Sequence, residues 1–469
     1  MESELEDIRT PSISLDKEIF QKQLAIIKNA SEQAQAKIDY YSAHDDHIMH
    51  AIEIVEEFLR KRHRICYGGQ AINAHLPQKY KFYDPEYSIP DYDFFTPSQT
   101  ADIELIVNDL KKAGFNEISA REGMHEGTVK IYVEYIPVAD ITEIDPKLYK
   151  ILSKREYRMN GISYLDANSL RMLMYLELSR PRGEVERWKK VYERLLLFNE
   201  FAMGKSCNKR GKGLLHGSLS NSQVQFVLDF IIHNKRVFAG ADLAELYQDA
   251  LKKNALQTDW IITSKKPILF FSSDPAQDAK ELASEFRFEL KQPHLSDTKK
   301  GRITTKTYSS KGVDLIPSIT VISQGKRLLV MIIHQTACHS YFNIPIDDDK
   351  VMRIASMDSL ITLYFGLGLL KTAYFDMGSM ECLANELVQI NSRARQESDH
   401  FIFPFISIRC AGHQHTLPSL IREKVKRITS KKKLLQNLFK NNAAPKTQGG
   451  NHKTQGGFTL KHHRKLRLI

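Results

Sequence analysis

Hydrophobic spacing changes several times along this chain, and each change marks an element. From Asp16 to about Ser42, the apolar residues Ile19, Phe20, Leu24, Ile26, Ile27 and Ile38 stand among polar, Gln- and Lys-rich positions, which predicts helix. A second helix is predicted from about Asp46 to Arg62, with Ile48, Ile52, Ile54, Val55 and Leu59 near one face. His63 to Tyr67 is a short apolar run that fits a strand, two glycines turn the chain, and Gln70 to Leu76 returns to helix. After a Tyr- and Pro-bearing loop, Tyr80 to Ser88, the next strand is Asp91 to Phe95. An amphipathic helix from Asp102 ends at Gly114, a residue suited to a helix C-terminus. Thr128 to Ile141 alternates as one strand, and Asn168 to Leu178 and Glu184 to Phe198 follow as helices. Strands alternating with helices predict a mixed α/β fold.

The second half repeats these landmarks in order. Asn234-Lys-Arg-Val-Phe-Ala-Gly-Ala matches the stretch around Cys66-Tyr-Gly-Gly-Gln, and Pro267-Ile-Leu-Phe-Phe with its following helix matches Pro90-Asp-Tyr-Asp-Phe-Phe. Arg327 to Cys338 stands where the strand ending at Asp140 stands, and Ser356-Met-Asp-Ser-Leu where Ala167-Asn-Ser-Leu stands. An internal duplication follows. On this alignment Asp91, Asp93 and Asp140 become Ile268, Phe270 and Cys338, so the second copy keeps the framework and loses three acids together.

Composition then sets the outer organisation. A helical N-terminal segment (1–45) precedes a first domain (46–203), a basic link (204–217), a second, degenerate domain with C-terminal helices (218–440), and a basic tail (441–469) poor enough in apolar residues to be expected disordered. The chain carries a net charge of +11, and from Ile421 to Ile469 fourteen Lys and Arg oppose one acid, so residues 1–420 sum to 11 − 13 = −2. Such a cationic end suits a polyanion, and equally a solvated terminus with no dedicated partner. The five cysteines are scattered with no CxxC pair, so neither a disulfide framework nor a cysteine zinc site is expected, and a reducing compartment fits. No apolar run reaches the roughly 18 residues of a membrane span, so no membrane partner is expected.

The chemistry concentrates in Tyr67-Gly-Gly-Gln and Asp91-Tyr-Asp. A Gly-Gly turn between strand and helix lets backbone N–H groups approach an anion. In a strand, positions i and i+2 share a face, so Asp91 and Asp93 converge while Tyr92 turns away. Asp140, ending Ile136-Pro-Val-Ala-Asp, is the candidate third carboxylate; Glu134 shares its parity but lies six residues back, roughly 20 Å along a strand. Hard divalent cations take such oxygen ligands.

Gly-Gly, then Asp-x-Asp about twenty residues on, then a lone acid on a later strand resembles the nucleotidyltransferase superfamily of DNA polymerase β. With Pro90-Asp-Tyr-Asp-Phe-Phe-Thr-Pro, Val138-Ala-Asp-Ile and the degenerate second copy, the chain resembles the poly(A) polymerase catalytic subunit of nucleocytoplasmic large DNA viruses, over about residues 45–380. The resemblance implies tandem nucleotidyltransferase-like domains and template-independent addition of AMP from ATP to an RNA 3′ end. Gly68 and Gly69 would cradle the triphosphate, Asp91 and Asp93 would bind two Mg²⁺ or Mn²⁺ ions, and Asp140 would complete the metal site at the 3′-hydroxyl. A homodimer or a viral processivity subunit, and the cytoplasmic factory of an infected cell or the virion, go with that family. The rival readings are a nucleotidyltransferase with another nucleotide or acceptor, and a non-catalytic RNA-binding scaffold.

Weaker candidates surround this core. Gln70 is a second-layer candidate or a helix start; Asn168 and Ser169 open a helix near the base or ribose; Arg187, Lys189 and Lys190 are placed to reach phosphates or form a solvated face. Tyr80, Phe82, Tyr83 and Tyr87 read as packing first and base-stacking second. His44 and His47 in Ala43-His-Asp-Asp-His read as a polar helix start rather than a metal site, and His462 and His463 as part of the basic tail.

Overall fold

Helices α1 (Lys17–Ala43) and α2 (Asp46–Arg62) meet at Asp45, whose carboxylate accepts hydrogen bonds from the backbone N–H groups of His47 and Ile48 and so caps the second helix. The computed structural model describes residues 17–202, 219–253, 266–289, 302–309, 316–347, 350–397 and 407–441; the first 16 residues of the expected N-terminal segment, the basic link 204–217 and residues 442–469 of the expected tail lie outside these. Helix α2 buries Ile48, Ala51, Ile52, Val55, Phe58 and Leu59, the face its spacing predicted.

The first half continues through β1 (Ile65–Tyr67), α3 (Gly68–His75), β2 (Tyr92–Thr96), α4 (Gln99–Lys112), β3 (Ile118–Glu122), β4 (Thr128–Val133) and β5 (Ile136–Glu143). It closes with α5 (Pro146–Ser153), β6 (Tyr157–Met159), β7 (Ile162–Tyr164), α6 (Ala167–Leu178) and α7 (Trp188–Phe201). The stretch expected as one strand from Thr128 to Ile141 is a hairpin. Glu134 and Tyr135 both take positive φ, 49° and 69°, the conformation of a two-residue turn usually built on Asn or Gly. The alternation of side chains runs on across the turn, so it gave no sign of the reversal.

The second half comprises α8 (Asn221–His233), β8 (Val237–Phe238), α9 (Leu243–Lys253), β9 (Ile268–Ser272), α10 (Pro275–Glu289), β10 (Ile303–Tyr308), β11 (Ile319–Gln324) and β12 (Arg327–His334). It ends with β13 (His339–Asp347), β14 (Lys350–Ala355), α11 (Met357–Leu369), α12 (Met377–Glu397), β15 (Cys410–Ala411) and α13 (Leu417–Asn441). Strand order is β3-β4-β5-β2-β1-β7-β6 in one sheet and β10-β11-β12-β9-β8-β14-β13-β15 in the other. Apart from the added β15, the two orders correspond strand for strand. The directions correspond too: β2 and β5 pair parallel, as do β9 and β12, and β1 with β2 and β8 with β9 pair antiparallel. Helices α6 and α11, equivalent in the two halves, pack on each other, and α11 is buried along its whole length.

A buried polar triad fixes the alignment of the copies. Arg64 donates from Nε and Nη2 to Asp102 at 2.7 and 2.8 Å, and Thr96 Oγ1 donates to the same carboxylate at 2.5 Å. Arg236 meets Asp278 at 2.8 and 2.8 Å, and Ser272 Oγ donates to it at 2.5 Å. Thr96 is therefore equivalent to Ser272, and counting back three and five residues makes Asp93 equivalent to Leu269 and Asp91 to Pro267. Asp140 pairs with Asp93 as Met331 pairs with Leu269. The expected partners Ile268, Phe270 and Cys338 are thus corrected to Pro267, Leu269 and Met331, and all three acids are still absent from the second copy. One further expectation fails: Cys338 and Cys410 form a disulfide, with Cα atoms 5.5 Å apart and 72 residues between them in sequence. Spacing along the chain is silent about cysteines joined by β13 and β15. None of the described helices is long and apolar enough to cross a membrane.

Candidate active site

Four residues form a row across four adjacent strands. Lys130 on β4 is the cross-strand partner of Asp140 on β5, Asp140 of Asp93 on β2, and Asp93 of Tyr67 on β1. Partners directly opposite one another point to one face of a sheet, so this row brings Asp93 and Asp140 together, with Asp91 two positions before Asp93. Tyr92 points the other way, where its buried ring donates a 2.6 Å hydrogen bond to Glu56 of α2. Register delivers Asp93 and Asp140; the strand expected from Asp91 starts at Tyr92, so Asp91 stands exposed one residue before β2 and joins the cluster through its charge on Asp93.

Their electrostatics are those of crowded carboxylates. Burial, then the charges of Asp91 and Asp140, push Asp93 up to about 7. Asp91, exposed as a residue, is also raised, by loss of water around its carboxyl among the neighbouring side chains and then by Asp140. Asp140 is 7% exposed; one oxygen is in an ion pair with the Lys130 ammonium and the other, Oδ1, is buried without a hydrogen-bond partner. Burial works against the charge on Lys130, yet the bond to Asp140 and the fields of Asp91 and Asp93 hold its ammonium above the usual range.

The Gly-Gly turn abuts these acids. Gly68 has φ +71°, and a Cβ there would collide with Asp93 Oδ2; a Cβ on Gly69 would collide with the Tyr83 hydroxyl. Helix α3 starts on Gly68, and its N-cap residue, Tyr67, makes no side-chain cap, so the first-turn N–H groups are left as donors beside the acids. In the second copy α9 starts only at Leu243, three residues past the equivalent Gly240, so both the acids and the helix start are gone.

The other expected residues separate into two sets. Arg187 lies near enough to Asp93, and Lys190 to Asp91, for their charges to act on those carboxyls. Lys189 is exposed and faces Glu193 at 3.9 Å. Gln70 lies in the first turn of α3, half-buried. Asn168 accepts from Arg171 at 3.1 Å, and Ser169 Oγ donates to Asp166 at 2.6 Å, so both are engaged in the start of α6 rather than turned to the acids. Tyr80 stacks on Phe201 with centroids 4.1 Å apart, and Phe82 meets Tyr83 at 4.7 Å, which is the packing role favoured from sequence. His47 bonds Glu134 at 2.8 Å near the start of α2.

Two residues escaped the sequence reading. Lys130 joins the site only because of the hairpin at Glu134-Tyr135. Arg194 lies one turn beyond Lys190 and approaches Gly69, its Nη1 3.0 Å from where a Cβ would stand. The i, i+3, i+7 spacing of Arg187, Lys190 and Arg194 was the available signal.

As they stand, the described residues contain no group of three or more acids, histidines or cysteines closed around a cation position. The donor set nevertheless fits a hard divalent ion: oxygen atoms only, mutually repelling carboxylates, and an unpartnered buried oxygen on Asp140.

A glycine turn opening a helix, an Asp-x-Asp run at the start of a strand and a third aspartate in register on the parallel neighbour make up the site, in tandem with a second copy stripped of its acids. Residues 53–184 match the family model described as poly(A) polymerase catalytic subunit. A protein of Acanthamoeba polyphaga mimivirus, assigned as a candidate poly(A) polymerase catalytic subunit, is 30% identical over 149 residues, 31% of this chain and 25% of the relative. The corresponding protein of African swine fever virus (strain Badajoz 1971 Vero-adapted) is 27% identical over 155 residues, 32% of this chain and 33% of the relative. The matched stretches thus span a quarter to a third of these relatives' lengths. The crystal structure of the Megavirus polyadenylate synthase superposes with a TM-score of 0.68 at 18% identity, covering 91% of this chain and 86% of that one. The fold is therefore shared nearly end to end, and the chain resembles the poly(A) polymerase catalytic subunits of large DNA viruses.

Proposed function

We propose that this chain is a template-independent polynucleotide adenylyltransferase that adds AMP from ATP to RNA 3′ ends in viral mRNA polyadenylation. The observation that carries the reading is the register of Asp93 with Asp140 beside the Gly68-Gly69 turn, in a chain whose second copy lacks all three acids. In this reading the N–H groups at the start of α3 receive the triphosphate, and Arg187 and Lys190 draw it in. Asp91, Asp93 and Asp140 would hold two Mg²⁺ or Mn²⁺ ions. Ions held by these carboxylates would supply a lowered pKa for the 3′-hydroxyl and positive charge against the leaving pyrophosphate. The 3′-oxygen attacks the α-phosphorus, the bond to the bridging oxygen breaks, and AMP joins the chain. The protein's part is to align hydroxyl and α-phosphorus and exclude water, with no covalent enzyme intermediate.

Adenine selectivity and the RNA acceptor rest on the resemblance and the matched family. So do a second copy or a processivity subunit as partner, and the cytoplasmic viral factory as the place of action. The test is extension of a short 3′-hydroxyl RNA in Mg²⁺ or Mn²⁺ with each nucleotide separately. Extension with ATP alone is expected. Extension with another nucleotide would assign a different transferase, and RNA binding without extension would make the chain a scaffold.

A further inference from the structure

We propose that Arg194 is a triphosphate-binding residue of this chain, held ready by the Tyr83 hydroxyl until the terminal phosphates of a nucleotide replace it. The inference rests on the nucleotidyltransferase reading and deepens it. Arg194 Nη2 donates to Tyr83 Oη at 2.9 Å, and its guanidinium lies 4.4 Å from the Phe82 ring centroid and 5.4 Å from that of Tyr83. The same Tyr83 hydroxyl and Arg194 Nη1 converge on Gly69, the second glycine of the turn at which α3 begins. Loop and helix are thereby pinned over the donor end of α3.

The partner is chemically mismatched. Arg64 holds Asp102, and Arg155 holds Asp166 and Glu381. Arg121 on β3, stacked on Tyr132, and Arg171 on α6, bonded to Asn168, Asn199 and the Ala202 carbonyl, hold no carboxylate among the described residues but lie away from the Gly68-Gly69 turn. Among the described residues Arg194 makes no ion pair; a neutral hydroxyl and two aromatic faces are its direct contacts, with the Glu177 carboxylate further off but within reach of its charge. A guanidinium stacked on rings keeps its outward N–H groups aimed, and its fork suits two phosphate oxygens. Arg187, the N-cap residue of α7, is followed at helical spacing by Lys190 and Arg194; Arg187 and Lys190 lie toward the acids and Arg194 toward the turn. Arg187 is paired with Glu177 at 3.2 Å and Glu184 at 2.9 Å, which leaves Lys190 and Arg194 as the members of this run without an ion pair among the described residues. Asp93 lies on the far side of the turn, against Gly68. A nucleotide laid along the turn would place its α-phosphate by the acids and its β- and γ-phosphates by Arg194.

Isothermal titration without RNA, in excess Mg²⁺, with ATP, AMP and tripolyphosphate as probes, tests this. Arg194→Gln should weaken ATP and tripolyphosphate by roughly ten- to hundredfold, the range for a lost charge-assisted hydrogen bond to an anion, and leave AMP within about twofold. Tyr83→Phe, which removes the latch and keeps the guanidinium, should bind ATP as tightly as the wild type or tighter. If Arg194→Gln weakens AMP and ATP equally, the residue only pins the loop and the proposal falls; unchanged tripolyphosphate affinity overturns it as well. A melting curve of each variant separates misfolding from lost binding, with Arg194→Lys, expected to recover part of the tripolyphosphate affinity, as the second variant. Failure of the wild-type chain to bind ATP or tripolyphosphate would instead overturn the nucleotidyltransferase reading, and this inference with it.

Discussion

Lys130 and Asp140 face each other on neighbouring antiparallel strands, and their side chains form an ion pair inside the acid cluster. Lys130 is the counter-ion of a site whose three carboxylates otherwise repel one another. Replacing it with Gln should destabilise the metal-free protein by about 1–3 kcal/mol, since a nearly buried carboxylate loses its partner. Saturating Mg²⁺ should shrink that deficit by supplying the missing positive charge. Urea melts with EDTA and with Mg²⁺ read both numbers; equal deficits in the two buffers would show that no cation takes the lysine's place.

Asp93 gives the site a pH signature. Its carboxyl is raised from 3.8 to about 7 by burial and by Asp91 and Asp140. The folded state therefore binds this proton more tightly than the unfolded chain. The associated stability is present in full below about pH 4 and is lost as pH rises through about 7. Asp93→Asn should thus gain on the wild type between pH 5 and pH 8 in EDTA, by a few kcal/mol at most, because each tenfold change in proton affinity is worth about 1.4 kcal/mol. Melting temperatures across that range check it. A flat difference would mean that Asp93 is not crowded, and in the extension assay the same variant should be inactive.

The Arg64–Asp102–Thr96 and Arg236–Asp278–Ser272 triads occupy the same place in the two sheets. Each buries a carboxylate that is satisfied only by its partners. Removing one buried partner of such a set costs about 3–5 kcal/mol, so Arg64→Ala and Arg236→Ala should destabilise by comparable amounts in chemical denaturation. A large cost in one copy and none in the other would argue that the framework was not preserved in both.

What the sequence made readable was local. The Asp-x-Asp run and the Gly-Gly turn depend on residues within two or three of one another, and both are present in the structure, with β2 starting one residue later than expected, at Tyr92. Lys130 depends on a reversal at Glu134-Tyr135 that has no glycine or asparagine to announce it, and Arg194 on how α7 crosses the start of α3. The duplication was visible from four landmarks, but its register was not. Only the shared bonds of Thr96 and Ser272 place Asp93 opposite Leu269 rather than Phe270. Cys338 and Cys410 meet because β13 and β15 pair, a contact across 72 residues that no spacing rule encodes.

That disulfide closes a long loop, and chain-entropy reasoning gives roughly 4 kcal/mol for a loop of this length. Cys338→Ser should lower stability by about 2–4 kcal/mol in non-reducing buffer and make the protein insensitive to added dithiothreitol at this bond. Peptide mass mapping after alkylation without reduction checks the pairing directly. Free, alkylated Cys338 and Cys410 in the native protein would refute it.

Gly68 supplies the sharpest separation of chemistry from folding. At φ +71° any L side chain is strained, by roughly 1–2 kcal/mol, and a Cβ at Gly68 would in addition displace the Asp93 carboxylate. Gly114 has φ +98° and open space where a Cβ would stand, so Gly114→Ala carries the backbone strain alone. Both alanine variants should therefore lose stability, with Gly114→Ala retaining near-normal extension of RNA. Gly68→Ala should lose extension by at least about a hundredfold, because a displacement of about 1 Å at a reacting centre costs about that much. Urea melts set the stability scale, and the extension assay is run on protein shown to be folded. If Gly68→Ala extends RNA as well as Gly114→Ala does, the contact between the turn and Asp93 does not position the chemistry, and the anion-cradle role given to Gly68 must be withdrawn.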